Sequence, residues 1–290
     1  MVLLTSLFAL ATLASAGTIT KRQAAGAQVA KLTSIENIAV RSNGQILATS
    51  MSSTTIYSVN ATAKTSASAI VVSGAAGFSG IGEYLPDQFA VIGGGSTGTT
   101  IYKIDFSSGK AVSTLVKKIA EASNLNGLAV LNNDTVLVGD AGKGVVYRFT
   151  MSTGAYSVAI SDPTMVPSGG IPFGIDGLKY KDGVVWYTNI FKNSFHKVPV
   201  DATGKATGAV VTLWTNLMGD DLCFGPSGKI YVATNGKNSL VEVDPAAASP
   251  TPKAVATVSG STSCAFGRTE SDKDVVYIGG SGGVFSATIK

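Results

Sequence analysis

Residues 125–161 run Leu125-Asn126-Gly127-Leu128-Ala129-Val130, then Thr135-Val136-Leu137-Val138-Gly139-Asp140, then Gly144-Val145-Val146-Tyr147-Arg148-Phe149, then Ala155-Tyr156-Ser157-Val158-Ala159. Each run is short, rich in β-branched and aromatic residues, and set off from the next by Gly, Asn, Asp or Ser. That pattern predicts four strands joined by tight turns. Residues 219–258 repeat it, with Lys229-Ile230-Tyr231-Val232-Ala233-Thr234, Ser239-Leu240-Val241-Glu242-Val243-Asp244 and Lys253-Ala254-Val255-Ala256-Thr257-Val258.

Working outward, the opening of the motif recurs six times: a polar residue, a small one, then two or three apolar ones. The polar marker is Glu36, Ser79, Asn126, Asp176, Asp220 or Thr262, and successive markers lie 42 to 50 residues apart. A period of about 40–50 residues with four strands per repeat is that of a propeller blade. The expected fold is therefore all-β, a six-bladed β-propeller with four-stranded blades filling 23–290 as one domain. The last repeat has room for three strands only. The N-terminal run Ala27-Gln28-Val29-Ala30-Lys31-Leu32 is expected to supply its outer strand, closing the last blade and removing the open edges.

Composition narrows the chemistry. Gly accounts for 34 of 290 residues, well above the usual share of roughly 7%, as a turn-rich β protein requires. A net charge of +4 is too small for a nucleic-acid footprint, so no nucleic-acid partner is expected. The single His, His196, excludes multi-His metal sites and argues against a Ser-His-Asp triad. Two Cys exclude a zinc-finger framework.

Residues 1–16 combine an apolar stretch with Ala14-Ser15-Ala16, which reads as a signal peptide, too short to span a bilayer. Residues 17–22 read as a pro-segment ending in the dibasic pair Lys21-Arg22. The expected location is secreted or the secretory-pathway lumen, with no membrane contact after cleavage. Two sequons agree, giving candidate glycosylation at Asn60 and Asn133. In that oxidising compartment Cys223 and Cys264 are expected to pair. They stand three and two residues after their markers, so they face each other across neighbouring blades. A loop of about 42 residues would stabilise by roughly 4 kcal/mol on the chain-entropy account.

The innermost strands of a propeller line a central channel, and their first residues converge at one mouth. Glu36, Asn126, Asp176 and Asp220 are the candidate catalytic residues there, with Ser79 and Thr262 substrate-facing. Three carboxylates and an Asn at one mouth are costly without a cation, a proton or hydrogen bonds. An all-oxygen set suits Ca²⁺ or Mg²⁺. The alternative is turn capping, since Asp, Asn and Ser before a strand commonly satisfy backbone groups.

The six repeats resemble the superfamily of gluconolactonases, senescence-marker-protein (SMP-30) lactonases and NHL-repeat propellers across essentially the whole chain after residue 23. Its lactonases hold a divalent metal with a first-blade Glu, Asn residues from the third and fourth blades, and a fifth-blade Asp. The resemblance implies Glu36, Asn126, Asp176 and Asp220 as those positions. Asn126-Gly127-Leu128-Ala129 resembles the family's Asn-Gly-Leu-Ala, while Asp176 stands where the family has Asn. The first-blade Glu-Gly-Pro is absent, Glu36 being followed by Asn37-Ile38-Ala39. In architecture and texture, rather than in any motif, the chain also resembles the fungal secreted group that contains hetero-Diels-Alderases of tropolone–terpenoid biosynthesis.

Three functions follow, each with a small-molecule partner at the mouth. The preferred one is a cyclase of secondary metabolism resembling hetero-Diels-Alderases, which directs cycloaddition of a reactive diene and a polyene and needs no cofactor. The second is a lactonase using Ca²⁺ or Mg²⁺, with Asp176 as base. The third is a secreted binder of a small molecule or protein without catalysis. His196 is expected in surface or interblade packing, Trp186 and Trp214 in the core, and Cys223 in the disulfide rather than as a nucleophile.

Overall fold

The computed structural model describes residues 24–94 and 98–289, so the expected leader and pro-segment lie outside the described residues. The repeat folds as its spacing predicts. Six sheets radiate from one axis, and within each the chain runs outward by antiparallel hairpins. Blade one comprises Ile38–Val40, Ile46–Ala48, Thr55–Asn60 and Thr65–Val71. Blade two comprises Gly77–Leu85, Gln88–Gly94, Thr100–Asp105 and Val112–Lys118. Blade three is Leu125–Val130, Thr135–Asp140, Val145–Thr150 and Tyr156–Ser161, and blade four is Ile175–Lys181, Val184–Asn189, Ser194–Pro199 and Val211–Trp214.

Blade five contains Leu222–Phe224, Ile230–Thr234, Ser239–Val243 and Lys253–Thr257. Blade six takes Ser263–Phe266, Val275–Gly280 and Gly283–Thr288 from the end of the chain, and its fourth strand is Ala27–Lys31, antiparallel to Gly283–Thr288. The N-terminal strand thus closes the last blade. One pairing was not anticipated. Ala24–Ala25 adds to blade five, parallel to Lys253–Thr257, and gives that sheet a fifth strand.

Apolar residues fall where alternation and blade stacking require. The second strands are covered by blades on both sides, and Thr135–Asp140 is buried throughout, whereas the outermost strand Thr65–Val71 is largely exposed. The core is therefore six interblade seams, not one central mass. Between blades two and three, Ile92, Ile101 and Ile119 meet Leu125, Val136 and Phe149. Between blades four and five, Trp186, Phe195 and Trp214 meet Leu222, Ile230 and Val232. Both tryptophans are core residues. Cys223 and Cys264 form a disulfide in the seam between blades five and six, joining two innermost strands. Among the described residues no helix is long and apolar enough to cross a membrane.

Candidate functional site

Every marker residue lies within two residues of the start of an innermost strand, so the six meet at one end of the channel. The strands come close there because the residue after the marker is Gly in blades two, three and four. A Cβ on Gly127 would lie 2.1 Å from the Asp176 carbonyl oxygen, and one on Gly177 would lie 2.5 Å from that of Asp220. Blades one, five and six carry Asn37, Asp221 and Ser263 at the same position.

The structure distributes the six markers between two roles. Ser79 donates to the Leu125 carbonyl at 3.3 Å and Thr262 to the Ile35 carbonyl at 2.9 Å, each binding its blade to the next. Ser79 also lines a cleft of about 170 Å³ at the mouth, with Met51, Phe78, Asn124 and Leu125. The other four form an electrostatic group. Asn126 Nδ2 donates to Asp176 Oδ1 at 2.6 Å, and Asn235 Nδ2 donates to Asp220 Oδ2 at 3.3 Å. Glu36 remains partly exposed at the mouth.

Burial sets the protonation states. It raises Asp176 and Asp220 well above the usual carboxylate range, and repulsion among Glu36, Asp176, Asp220 and Asp221 adds to it. Lys179 and Asn126 oppose the rise at Asp176, and Asn235 opposes it at Asp220. Glu36 is pushed up to about 7 by burial first and Asp221 second, with the Asn126 amide pulling the other way. Each shift favours the protonated form of its carboxyl over the charged one, and a protonated carboxyl can donate a hydrogen bond as well as accept one.

Three residues join this group that the marker pattern does not single out: Asp221, Lys179 and Asn37. Asp221, 2% exposed, forms an ion pair with Lys179, which reaches it from the innermost strand of blade four. Asn37 Nδ2 donates to the same Asp221 oxygen at 2.8 Å from blade one. The other oxygen, Oδ1, is buried without a partner among the described residues. A signal for these residues exists in the repeat: glycine at the second position is replaced in blades one and five, and Lys179 is the only charged residue at its place in the repeat.

Charge alone does not mark the site, as Asp140 shows. It is fully buried on the mouth side and accepts from the backbone N–H groups of Ser123, Asn124, Gly142 and Lys143 at 2.9–3.1 Å. Those donors satisfy its carboxylate in a structural role. His196 is 2% exposed inside blade four, stacked on Tyr187 and bonded to Ser194 and Thr212, so it is a packing residue, but within a blade rather than on the surface. Burial holds its pKa down to about 4.

The far end of the channel is crossed by Arg268 of blade six, which pairs with Glu83 of blade two and donates to the Val40 carbonyl of blade one at 2.9 Å. The mouth side is instead rimmed by apolar groups. Residues 162–174, between blades three and four, expose Val166 and Ile171, and Phe173 packs edge-on against Phe191 with ring centroids 5.9 Å apart.

The all-oxygen donor set has the chemistry of a Ca²⁺ or Mg²⁺ site. Among the described residues no three Asp, Glu, His or Cys side chains come together as a ligand cage, and Lys179 sets its own cation against Asp221.

No family model matches the chain. A curated protein described as "Putative hetero-Diels-Alderase", from Phoma sp., is 26% identical over 245 residues, spanning 69% of this chain and 68% of its own. Regucalcin from Agrobacterium tumefaciens, described as a calcium-binding protein, superposes with a TM-score of 0.71 at 14% identity over 92% of this chain and 94% of its own. A luciferin-regenerating enzyme gives 0.69 at 15% identity, covering 89% and 92%. Virginiamycin B lyase from Staphylococcus aureus gives 0.60 at 12%, covering 88% and 80%. These structures share the fold. One fold thus carries proteins described as a calcium binder, a regenerating enzyme and a lyase, and the chemistry has to be argued from the mouth.

Proposed function

We propose that the protein is a cyclase that directs a hetero-Diels–Alder cycloaddition at the channel mouth. The observation that carries this reading is the sequence relationship to the protein from Phoma sp., which extends over about two thirds of both chains. The chemistry of the mouth agrees with it. In such a reaction an oxygen-bearing diene, such as a quinone methide, meets the double bond of a polyene. Three π bonds become one π bond and two σ bonds, one C–C and one C–O. No atom, electron pair or proton leaves, so no base or nucleophile is required.

What a protein can add is positioning and polarisation of the diene oxygen. Burial favours the protonated form of Asp176, Asp220 and Glu36, which in that form supply hydrogen-bond donors for that oxygen, and a donor placed where negative charge develops lowers the barrier. A buried carboxyl kept protonated for this purpose is an established device in enzymes. Asn126 and Asn235 hold two of these carboxyls in place. The cleft beside Ser79 and the apolar rim offer surface to the hydrocarbon partner, which has to be held against the diene in near-attack geometry. The disulfide and the two sequons support a secretory location.

The test is to generate an ortho-quinone methide in the presence of a cyclic polyene, with and without the protein, and to resolve the adducts by chiral chromatography. Faster formation with one enantiomer in excess is expected, and Asp176→Leu should reduce the catalysed rate about 100-fold. Racemic adduct at the background rate, or lactone hydrolysis abolished by EDTA, would overturn the reading.

A further inference from the structure

The two sequons lie on one face, and it is the face opposite the mouth. Asn60 ends the third strand of blade one, and Asn133 lies in the hairpin between the first two strands of blade three. Both positions are at the ends where the innermost strands finish, and both asparagines are exposed. At Asn60 the side-chain oxygen accepts from the Ala63 N–H at 2.9 Å. That bond fixes the side chain and leaves the amide nitrogen, the atom that carries a sugar, without a partner among the described residues.

Each asparagine also borders a cleft between blades. Asn133 lines one of about 440 Å³ between blades two and three. Asn60 lines one of about 450 Å³ between blades one and six, together with Gln28, Asn43, Gln45, Lys64 and Tyr277. The second is the larger cleft and lies well away from the carboxyl group at the mouth. Its volume falls within the range of sites that enclose small ligands, about 300–1,000 Å³.

The polar groups around the Asn60 cleft are half used. Asn43 Oδ1 accepts from the Gln45 N–H and Gln45 Oε1 from Arg41, and both amide nitrogens are left without a partner among the described residues. Gln28 uses its nitrogen on the Gly282 carbonyl and keeps its oxygen. Two donors and an acceptor facing a polar cleft match the hydroxyl and acetamido groups of a sugar. The cleft also straddles the seam where the two ends of the chain meet, and that seam has no disulfide, unlike the one between blades five and six.

We propose that Asn60 carries an N-linked glycan whose first N-acetylglucosamine seats in this cleft and bridges blades one and six. A second glycan at Asn133 leaves from the same face. Carbohydrate then covers the closed end of the channel and leaves the mouth open. The seated sugar touches both blades only in the folded ring, so it stabilises closure. The proposal rests on the secretory location and is independent of the reaction at the mouth.

The experiment secretes the full chain from a yeast host and reads Asn60 occupancy from peptide masses after complete deglycosylation. Three forms are then melted: intact, trimmed to one N-acetylglucosamine per site, and fully deglycosylated. The trimmed form should melt with the intact one, and the deglycosylated form a few degrees lower. Thr62→Ala, which destroys the sequon and keeps Asn60, should match the deglycosylated form. Gln45→Ala should lower the trimmed form by more than the deglycosylated form, which loses only the bond from Arg41. An unmodified Asn60 on the secreted chain would overturn the proposal, and failure of the chain to be secreted would overturn the location it rests on. An occupied Asn60 with all three forms melting together would overturn the seating alone.

Discussion

Blades two, three and four approach the axis through glycine, whereas blades five, six and one approach it through side chains. On the first arc Gly80, Gly127 and Gly177 each let an innermost strand rest against the backbone of the next blade, where a Cβ would come within 2.1–2.6 Å of a carbonyl oxygen. On the second arc Asn37, Asp221 and Ser263 stand at the same register, Cys223 and Cys264 bridge two blades, and the N-terminal strand completes the ring. Both arcs place a polar residue at each marker. They differ one residue further along, and there the close-packed half of the channel gives way to the half that holds charge.

The largest test of that contrast is the ion pair spanning it. Lys179→Met leaves Asp221 buried opposite a methyl group, and the unfolding free energy from urea titration should fall by about 4 kcal/mol. Lys179→Met combined with Asp221→Leu should recover most of the loss, because two apolar groups in place of a buried pair leave no charge uncompensated. Failure to recover would mean that the bond from the Asn37 amide to Asp221 carries much of the loss and that the charged arc is not organised by Lys179.

A smaller effect is expected on the glycine arc. Gly127→Ala drives a methyl into the Asp176 backbone and should cost about 3 kcal/mol, the upper end for overpacking, while Asn37→Gly on the other arc removes the amide that donates to Asp221 and the oxygen that accepts from the Ile38 N–H and should cost about 2 kcal/mol. Equal costs, measured as shifts in the denaturation midpoint at constant slope, would erase the distinction between the arcs.

The smallest effect lies in pH dependence, where the two arcs meet. The Glu36 carboxyl is raised from 4.5 to about 7 on folding, so the folded state binds its proton more tightly than the unfolded chain. Its contribution is complete below pH 4.5 and is lost as pH rises through about 7. Asp176 and Asp220, raised further, continue the decline at higher pH. The melting midpoint of the protein should fall from pH 5 to pH 8, and Glu36→Gln should flatten that fall. A midpoint that rises over the same range would show the mouth to be ionised and stabilised by something other than protons.

The blade count, the four-stranded sheets, the closing strand and the cysteine pair were legible in the sequence because each is a matter of period or parity. Turns recur every few residues, the marker returns at nearly constant spacing, and odd and even offsets face opposite ways. Ala24–Ala25 gave no such signal: two alanines have no alternation, and parallel addition to a neighbouring blade leaves no hairpin to announce it. The site was half legible. Glu36, Asn126, Asp176 and Asp220 follow from the marker position, but Asp221 and Asn37 occupy a place the repeat usually gives to glycine. Lys179 lies in an otherwise ordinary strand. Its importance comes from what it reaches across the channel, 42 residues away in sequence, and pattern alone does not record that distance.

The last blade takes three strands from one end of the chain and one from the other, and Gln28 bonds to the Gly282 carbonyl across 254 residues. Closure is therefore the most non-local event in the life of the molecule, and contacts of that separation form slowly. A chain emerging from its N-terminus has to hold Ala27–Lys31 unpaired until the final strand has been made. Through that interval the unfinished ring offers an open sheet edge at each end. The vulnerable species is the nearly complete propeller: chaperone demand and intermolecular strand exchange should peak in the last moments of synthesis rather than at its start.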